Sequence, residues 1–105
     1  MFVEVLAFVQ PSCPACHQLR GLLDQAAAHY AQCGSVLKYI DVSQQPLLAD
    51  TFGVTQTPTI IGTKNWQPLT RMVGAENAQQ RLAAFYAQLF QGAASCPVGA
   101  WRGDV

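Results

Sequence analysis

The chain has 105 residues, half of them apolar, with formal net charge zero and only 11% charged side chains. That length bounds one domain with one modest core, and the balanced, sparse charge offers no basic patch for nucleic acid. No apolar stretch reaches transmembrane length. No basic leader with an apolar centre and cleavage site opens the chain, so the expected place is the reducing cytoplasm.

Residues 2–9 are almost continuously apolar, broken only by Glu4. They read as a central strand covered on both faces. Cys13-Pro14-Ala15-Cys16 follows, and then apolar positions Cys16, Leu19, Leu23, Ala26, Tyr30 and Cys33 recur at threes and fours. This is one face of a helix from Pro14 to about Cys33, ended by Gly34-Ser35. The dithiol thus lies at a strand-to-helix junction, with Cys13 near the N-cap and Pro14 at the first helical position. Unsatisfied amides and the positive end of the helix dipole favour a thiolate at Cys13. Such surroundings lower a cysteine pKa from about 8.5 into the range of roughly 3.5 to 7.5. Cys16, one turn on, can then attack a mixed disulfide formed at Cys13.

Val36 to Val42 reads as a second strand, and Pro46 to Phe52 as a short helix stopped at Gly53. Thr59 to Thr63 and Leu69 to Val73 form a hairpin around Lys64-Asn65-Trp66-Gln67. Pro68 suits the start of an edge strand. Leu82, Phe85, Tyr86, Leu89 and Phe90 mark the apolar face of a last helix closed by Gly92. The order β-α-β-α-β-β-α predicts an α/β domain over residues 1–91 with a four-stranded mixed sheet. Residues 92–105 lack periodicity and read as a loosely ordered tail.

Thr57-Pro58-Thr59 before the third strand and Val73-Gly74-Ala75 before the last helix join the dithiol as a set. Together they resemble the thioredoxin superfamily, over residues 2 to 91. The resemblance implies a thiol–disulfide oxidoreductase acting on disulfide-bearing protein substrates. Cys13 would attack and Cys16 resolve. Pro14 and Ala15 would flank the substrate, Pro58 would be a cis proline facing the dithiol, and the Thr57 backbone would pair with an extended substrate. Gly74 would leave room for that substrate. An upstream reductant, thioredoxin reductase or glutathione, would complete the cycle of a monomer with no resident cofactor.

The chain also departs from thioredoxins proper. Ser12 replaces their tryptophan before the first cysteine, Ala7 replaces their buried acid six residues before it, and their N-terminal strand and helix are absent. The short start and Pro14 look more like a glutaredoxin, whereas Gly74-Ala75-Glu76-Asn77 resembles the thioredoxin loop. A glutathione-dependent activity through Cys13 alone, and a non-catalytic binding module using the apolar rim around Pro58, are the competing readings.

Other readings of these residues carry less weight. Closed zinc sites need four ligands, and Cys13 and Cys16 would need Cys33, His29 or Cys96 to converge on them. Cys13-Pro14-Ala15-Cys16-His17 also spells a haem-attachment pattern, but the preceding strand favours redox chemistry. His17, four residues after Cys13, is a candidate for tuning its thiolate. Cys33 reads as a small buried core residue, and Cys96 as an exposed tail residue open to a regulatory disulfide. Arg102-Gly103-Asp104 matches an adhesion tripeptide by coincidence. Trp66 and Trp101 have no assigned role.

Overall fold

The computed structural model describes residues 2–91, 96 and 98–103. The chain runs β1 (Val3–Val9), α1 (Pro14–Ala31), β2 (Ser35–Asp41), α2 (Pro46–Thr51), β3 (Thr59–Lys64), β4 (Gln67–Val73) and α3 (Ala78–Leu89). The sheet order is β2-β1-β3-β4. β1 runs parallel to β2 from Val3↔Ser35 to Val9↔Asp41 and antiparallel to β3 from Val3↔Lys64 to Phe8↔Thr59. β4 completes the sheet antiparallel to β3, so the sheet is mixed.

The continuous apolar run of β1 follows from its central place. Val3, Val5 and Ala7 face the core beneath α1 and α3, while Leu6 and Phe8 face a smaller cluster with Ile40, Ala49 and Ile61 beneath α2. Glu4 shares that second face at 3% exposure. Its Oε2 lies 2.9 Å from Lys38 Nζ on β2, an ion pair off the hydrogen-bond direction.

α1 begins as its sequence dictates. Cys13 is the N-cap in an extended conformation, and Pro14 occupies the first turn. Leu19, Leu23, Ala26 and Tyr30 form its buried stripe. Gly34 then turns the chain at φ +92°, a left-handed value that glycine adopts without strain. Tyr30 stacks on Tyr86 of α3, with ring centroids 4.5 Å apart, and on Phe90 at 5.0 Å. Such pairs add about 0.5–1.5 kcal/mol beyond their buried area.

The hairpin turns at Asn65 and Trp66, with φ of 50° and 73°. Two left-handed residues give the twist that a two-residue hairpin needs, and the Trp66 ring lies on Phe2 with centroids 5.0 Å apart. β4 starts at Gln67, so Pro68 sits inside this edge strand, beside an irregularity at Gly62/Thr63.

The C-terminal segment differs from the expected loose tail in its described residues. Trp101 is buried in the main core, and its amide donates to the Tyr30 hydroxyl at 3.0 Å. His29 Nε2 donates to the Gly99 carbonyl at 2.8 Å, and Gln79 donates to the Arg102 carbonyl at 3.1 Å. Cys33 and Cys96 are joined as a disulfide with Cα atoms 4.9 Å apart, within the ordinary range for such bonds. Cys33 is therefore not a simple core thiol, and Cys96 is half-buried and bonded rather than exposed and free. The predicted closing residue of α3, Gly92, lies outside the described residues.

Candidate active site

Cys13 and Cys16 form a second disulfide, with Cα atoms 5.3 Å apart. Both are nearly covered, at 9% and 6% exposure, so the bond opens to the surface chiefly through Cys13 and its neighbours Ser12 and Pro14. Three features set the electrostatics of Cys13. Its Sγ accepts the Cys16 amide hydrogen at 3.1 Å, it caps the 18-residue helix α1, and the first turn holds no acidic side chain. Negative charge on that sulfur meets a donor and the positive helix end, with no carboxylate in the first turn to oppose it.

The loop that enters the helix is held by Gln10. Its carbonyl accepts the Cys13 amide at 3.2 Å, and its side-chain Oε1 accepts the Thr57 hydroxyl at 3.4 Å. Gln10 thereby links the dithiol loop to the turn before β3. Sequence reading passed over this residue, whose only signal is its place between β1 and Pro11.

In that turn the Thr57–Pro58 peptide bond is cis. Pro58 is buried and Thr57 half-buried. The Thr57 amide and carbonyl have no protein partner among the described residues. The Pro58 carbonyl accepts the Gly74 amide at 2.9 Å. Gly74 has φ +81° and open space where a Cβ would stand. A groove of about 520 Å³ runs between Ala15 and Gln18 of α1, Gln56, and the stretch from Val73 to Glu76. Arg81 of α3 closes its far side, donating to the carbonyls of Val73 at 2.7 Å and Glu76 at 2.9 Å.

A second cleft, of about 260 Å³, lies behind Cys16 between β1, α1 and β2. His17 lines it, with Nε2–H donated to the Pro11 carbonyl at 3.0 Å. That bond directs the ring to Pro11, and the ring makes no hydrogen bond to the Cys13 sulfur. Tyr39 also lines it, with its hydroxyl donated to Asp24 at 2.5 Å and the Arg20 guanidinium 4.2 Å above its ring. Burial, and then the bond to Asp24, push the Tyr39 pKa well above its usual value. Among the described residues no three His, Cys, Asp or Glu side chains converge as a metal site.

A mixed four-stranded sheet with a dithiol capping the helix after its central strand defines a thioredoxin-like protein. Residues 3–88 match the Thioredoxin family model, and the chain belongs to the thioredoxin family. A thioredoxin-like protein of Synechocystis sp. is 32% identical over 88 residues, spanning 75% of this chain and 83% of its own. Thioredoxin of Staphylococcus aureus is 32% identical over 72 residues, spanning 69% and 68% respectively. In fold, the germline-specific thioredoxin Deadhead of Drosophila melanogaster superposes with a TM-score of 0.76 at 24% identity. That superposition covers 84% of this chain and 81% of the fly protein. With its paired cysteines in place, the protein is a thiol–disulfide oxidoreductase.

Proposed function

We propose that the protein exchanges disulfides with protein substrates, Cys13 acting as nucleophile and Cys16 as resolving thiol. The Cys13 thiolate attacks one sulfur of a substrate disulfide and releases the other as a thiol. Cys16 then attacks Cys13, forming the internal disulfide and releasing the second substrate thiol. A dithiol reductant, or glutathione, returns the enzyme to its reduced form. The reading calls for no resident cofactor.

The observation that carries it is the Cys13 sulfur, cap of α1 and acceptor of the Cys16 amide. The Thr57 backbone, linked to the dithiol loop through Gln10 and unpaired among the described residues, suits an extended substrate that adds main-chain hydrogen bonds. The groove between Ala15 and Gly74 suits the side chains of such a segment. Placement in the cytoplasm sits less easily with Cys33–Cys96, because cross-links of that kind persist chiefly in oxidising compartments.

The test is Cys16→Ser, incubated with a disulfide-bonded protein such as insulin and analysed by mass without reductant. A covalent enzyme–substrate adduct at Cys13 is expected. Failure to trap any adduct would refute the dithiol mechanism, and retained deglutathionylation in the same variant would move the assignment to glutathione chemistry. Binding of a partner unchanged in the double cysteine variant would instead identify a binding module.

A further inference from the structure

Resolution requires Cys16 to lose a proton, and the sulfur stands where few groups can take one. Cys16 is only 6% exposed, and the β1 residue on the same side of the sheet, Ala7, carries nothing but a methyl group. Behind Cys16 lies the 260 Å³ cleft, large enough for several waters. On its far side β2 presents Tyr39 and Asp41, two residues apart and so on one face of the strand.

We infer that Asp41 is the proton acceptor for Cys16 during resolution, reached through water in the cleft that the two residues share. The inference rests on the dithiol reading above. The Cys16 thiol gives its proton through that water to the Asp41 carboxylate. The resulting thiolate attacks the Cys13 sulfur, the Cys13–Cys16 bond forms, and the bond from Cys13 to the substrate sulfur breaks. The substrate leaves as a thiolate, and Asp41 later returns the proton to solvent.

The other groups facing the cleft are less suited. Arg20 on α1 has no acceptor atom. The Tyr39 hydroxyl is donated to Asp24. His17 on α1 holds the Pro11 carbonyl with Nε2–H, which leaves Nδ1 as the rival acceptor. Asp41 is half-buried, and its Oδ1 accepts both the Ser43 amide at 2.9 Å and the Ser43 hydroxyl at 2.6 Å. Those bonds fix the carboxylate and leave Oδ2 without a donor among the described residues.

Rapid quench of the reduced protein with a peptide disulfide, followed by mass analysis, separates attack by Cys13 from resolution by Cys16. In Asp41→Asn, and in Asp41→Ser (which keeps a short hydroxyl in the turn), resolution should slow tenfold or more. The mixed disulfide should accumulate, and the acid limb of the resolution rate against pH should disappear. Asp41→Glu should recover part of the rate, Ser43→Ala should retain most of it, and Cys13 alkylation should keep its native rate throughout. Native resolution in both Asp41 variants across pH would overturn the inference, as would loss of the acid limb in His17→Ala instead. Absence of any mixed disulfide, even in Cys16→Ser, would mark failure of the dithiol reading rather than of the Asp41 role.

Discussion

The Gly74 amide donates to the Pro58 carbonyl at 2.9 Å, tying the loop before α3 to the turn before β3. One side of the groove beside Ala15 and Gln18 is therefore a braced pair of loops. The brace continues into α3 through Arg81, whose guanidinium holds the carbonyls of Val73 and Glu76.

Arg81→Ala should loosen that brace. Hydrogen bonds from a charged donor contribute roughly 1.5–3 kcal/mol each, discounted here because Arg81 is partly exposed. We expect a lower urea midpoint and a several-fold loss of kcat/KM toward a protein disulfide. Alkylation of Cys13 by iodoacetamide should proceed at the native rate, since the N-cap is untouched. Equal losses in both assays would show that Arg81 acts on the fold alone.

Gly62→Ala tests the packing of α3 on β3. A Cβ there would stand 2.9 Å from Thr70 Cγ2 and 3.0 Å from Leu89 Cδ1. Leu89 is fully buried and cannot swing away. Overpacking of this kind costs typically about 1–3 kcal/mol, and a domain this size loses about 4–8 °C in Tm per kcal/mol. A thermal melt within 2 °C of the native one, on the order of the scatter such a shift allows, would contradict the packing.

Cys33→Ser with Cys96→Ser removes a cross-link between residues 63 apart in sequence. Loss of such a bond typically costs about 2–4 kcal/mol. Insulin reduction should nonetheless be unchanged. The dithiol lies at the start of α1 and Cys33 just beyond its end, about 27 Å away at 1.5 Å per residue. Denaturant melts and turnover of the double variant, measured side by side, check both halves.

Tyr86 predicts a pH response. Its hydroxyl is buried with no partner among the described residues. Burial, and then the neighbouring Tyr39 and Tyr30, push its pKa well above the usual value. Below pH of about 10 folded and unfolded chains both keep the proton, and stability is full. Above it the unfolded chain ionises first, so stability falls as pH rises. Tyr86→Phe should flatten this alkaline loss. At pH 7 it should be neutral or stabilising by up to about 1 kcal/mol, since an unpaired buried hydroxyl is removed. Unfolding midpoints from pH 8 to 11, compared between the two proteins, give the answer.

What the sequence made legible was local. The uninterrupted run of β1, the proline after Cys13 and the threes and fours of α1 each encode a position by neighbours in the chain. The same holds for Thr57-Pro58 and for Gly74, where backbone geometry restricts the residue type. What stayed hidden was joined across space. Gln10 reaches Thr57 over 47 positions, and Trp101 reaches Tyr30 over 71. No periodicity records such pairs. Cys33 fell on the apolar stripe of a helix, so its partner was invisible, because spacing does not reveal which cysteines bond. Arg81 and Asp41 belong to no motif in the chain, and only the fold brings them to the groove and the cleft.

The Cys33–Cys96 bond also changes the topology of the polymer. It closes β2, α2, β3, β4 and α3 into a covalent ring, with β1 and α1 left as an arm outside it. The arm bears the redox pair, and its strand is the one wedged between β2 and β3 at the middle of the sheet. A single proteolytic cut at the exposed Asn65–Trp66 turn would therefore open the ring without dividing the molecule. Both fragments would migrate as one species until a reductant separated them.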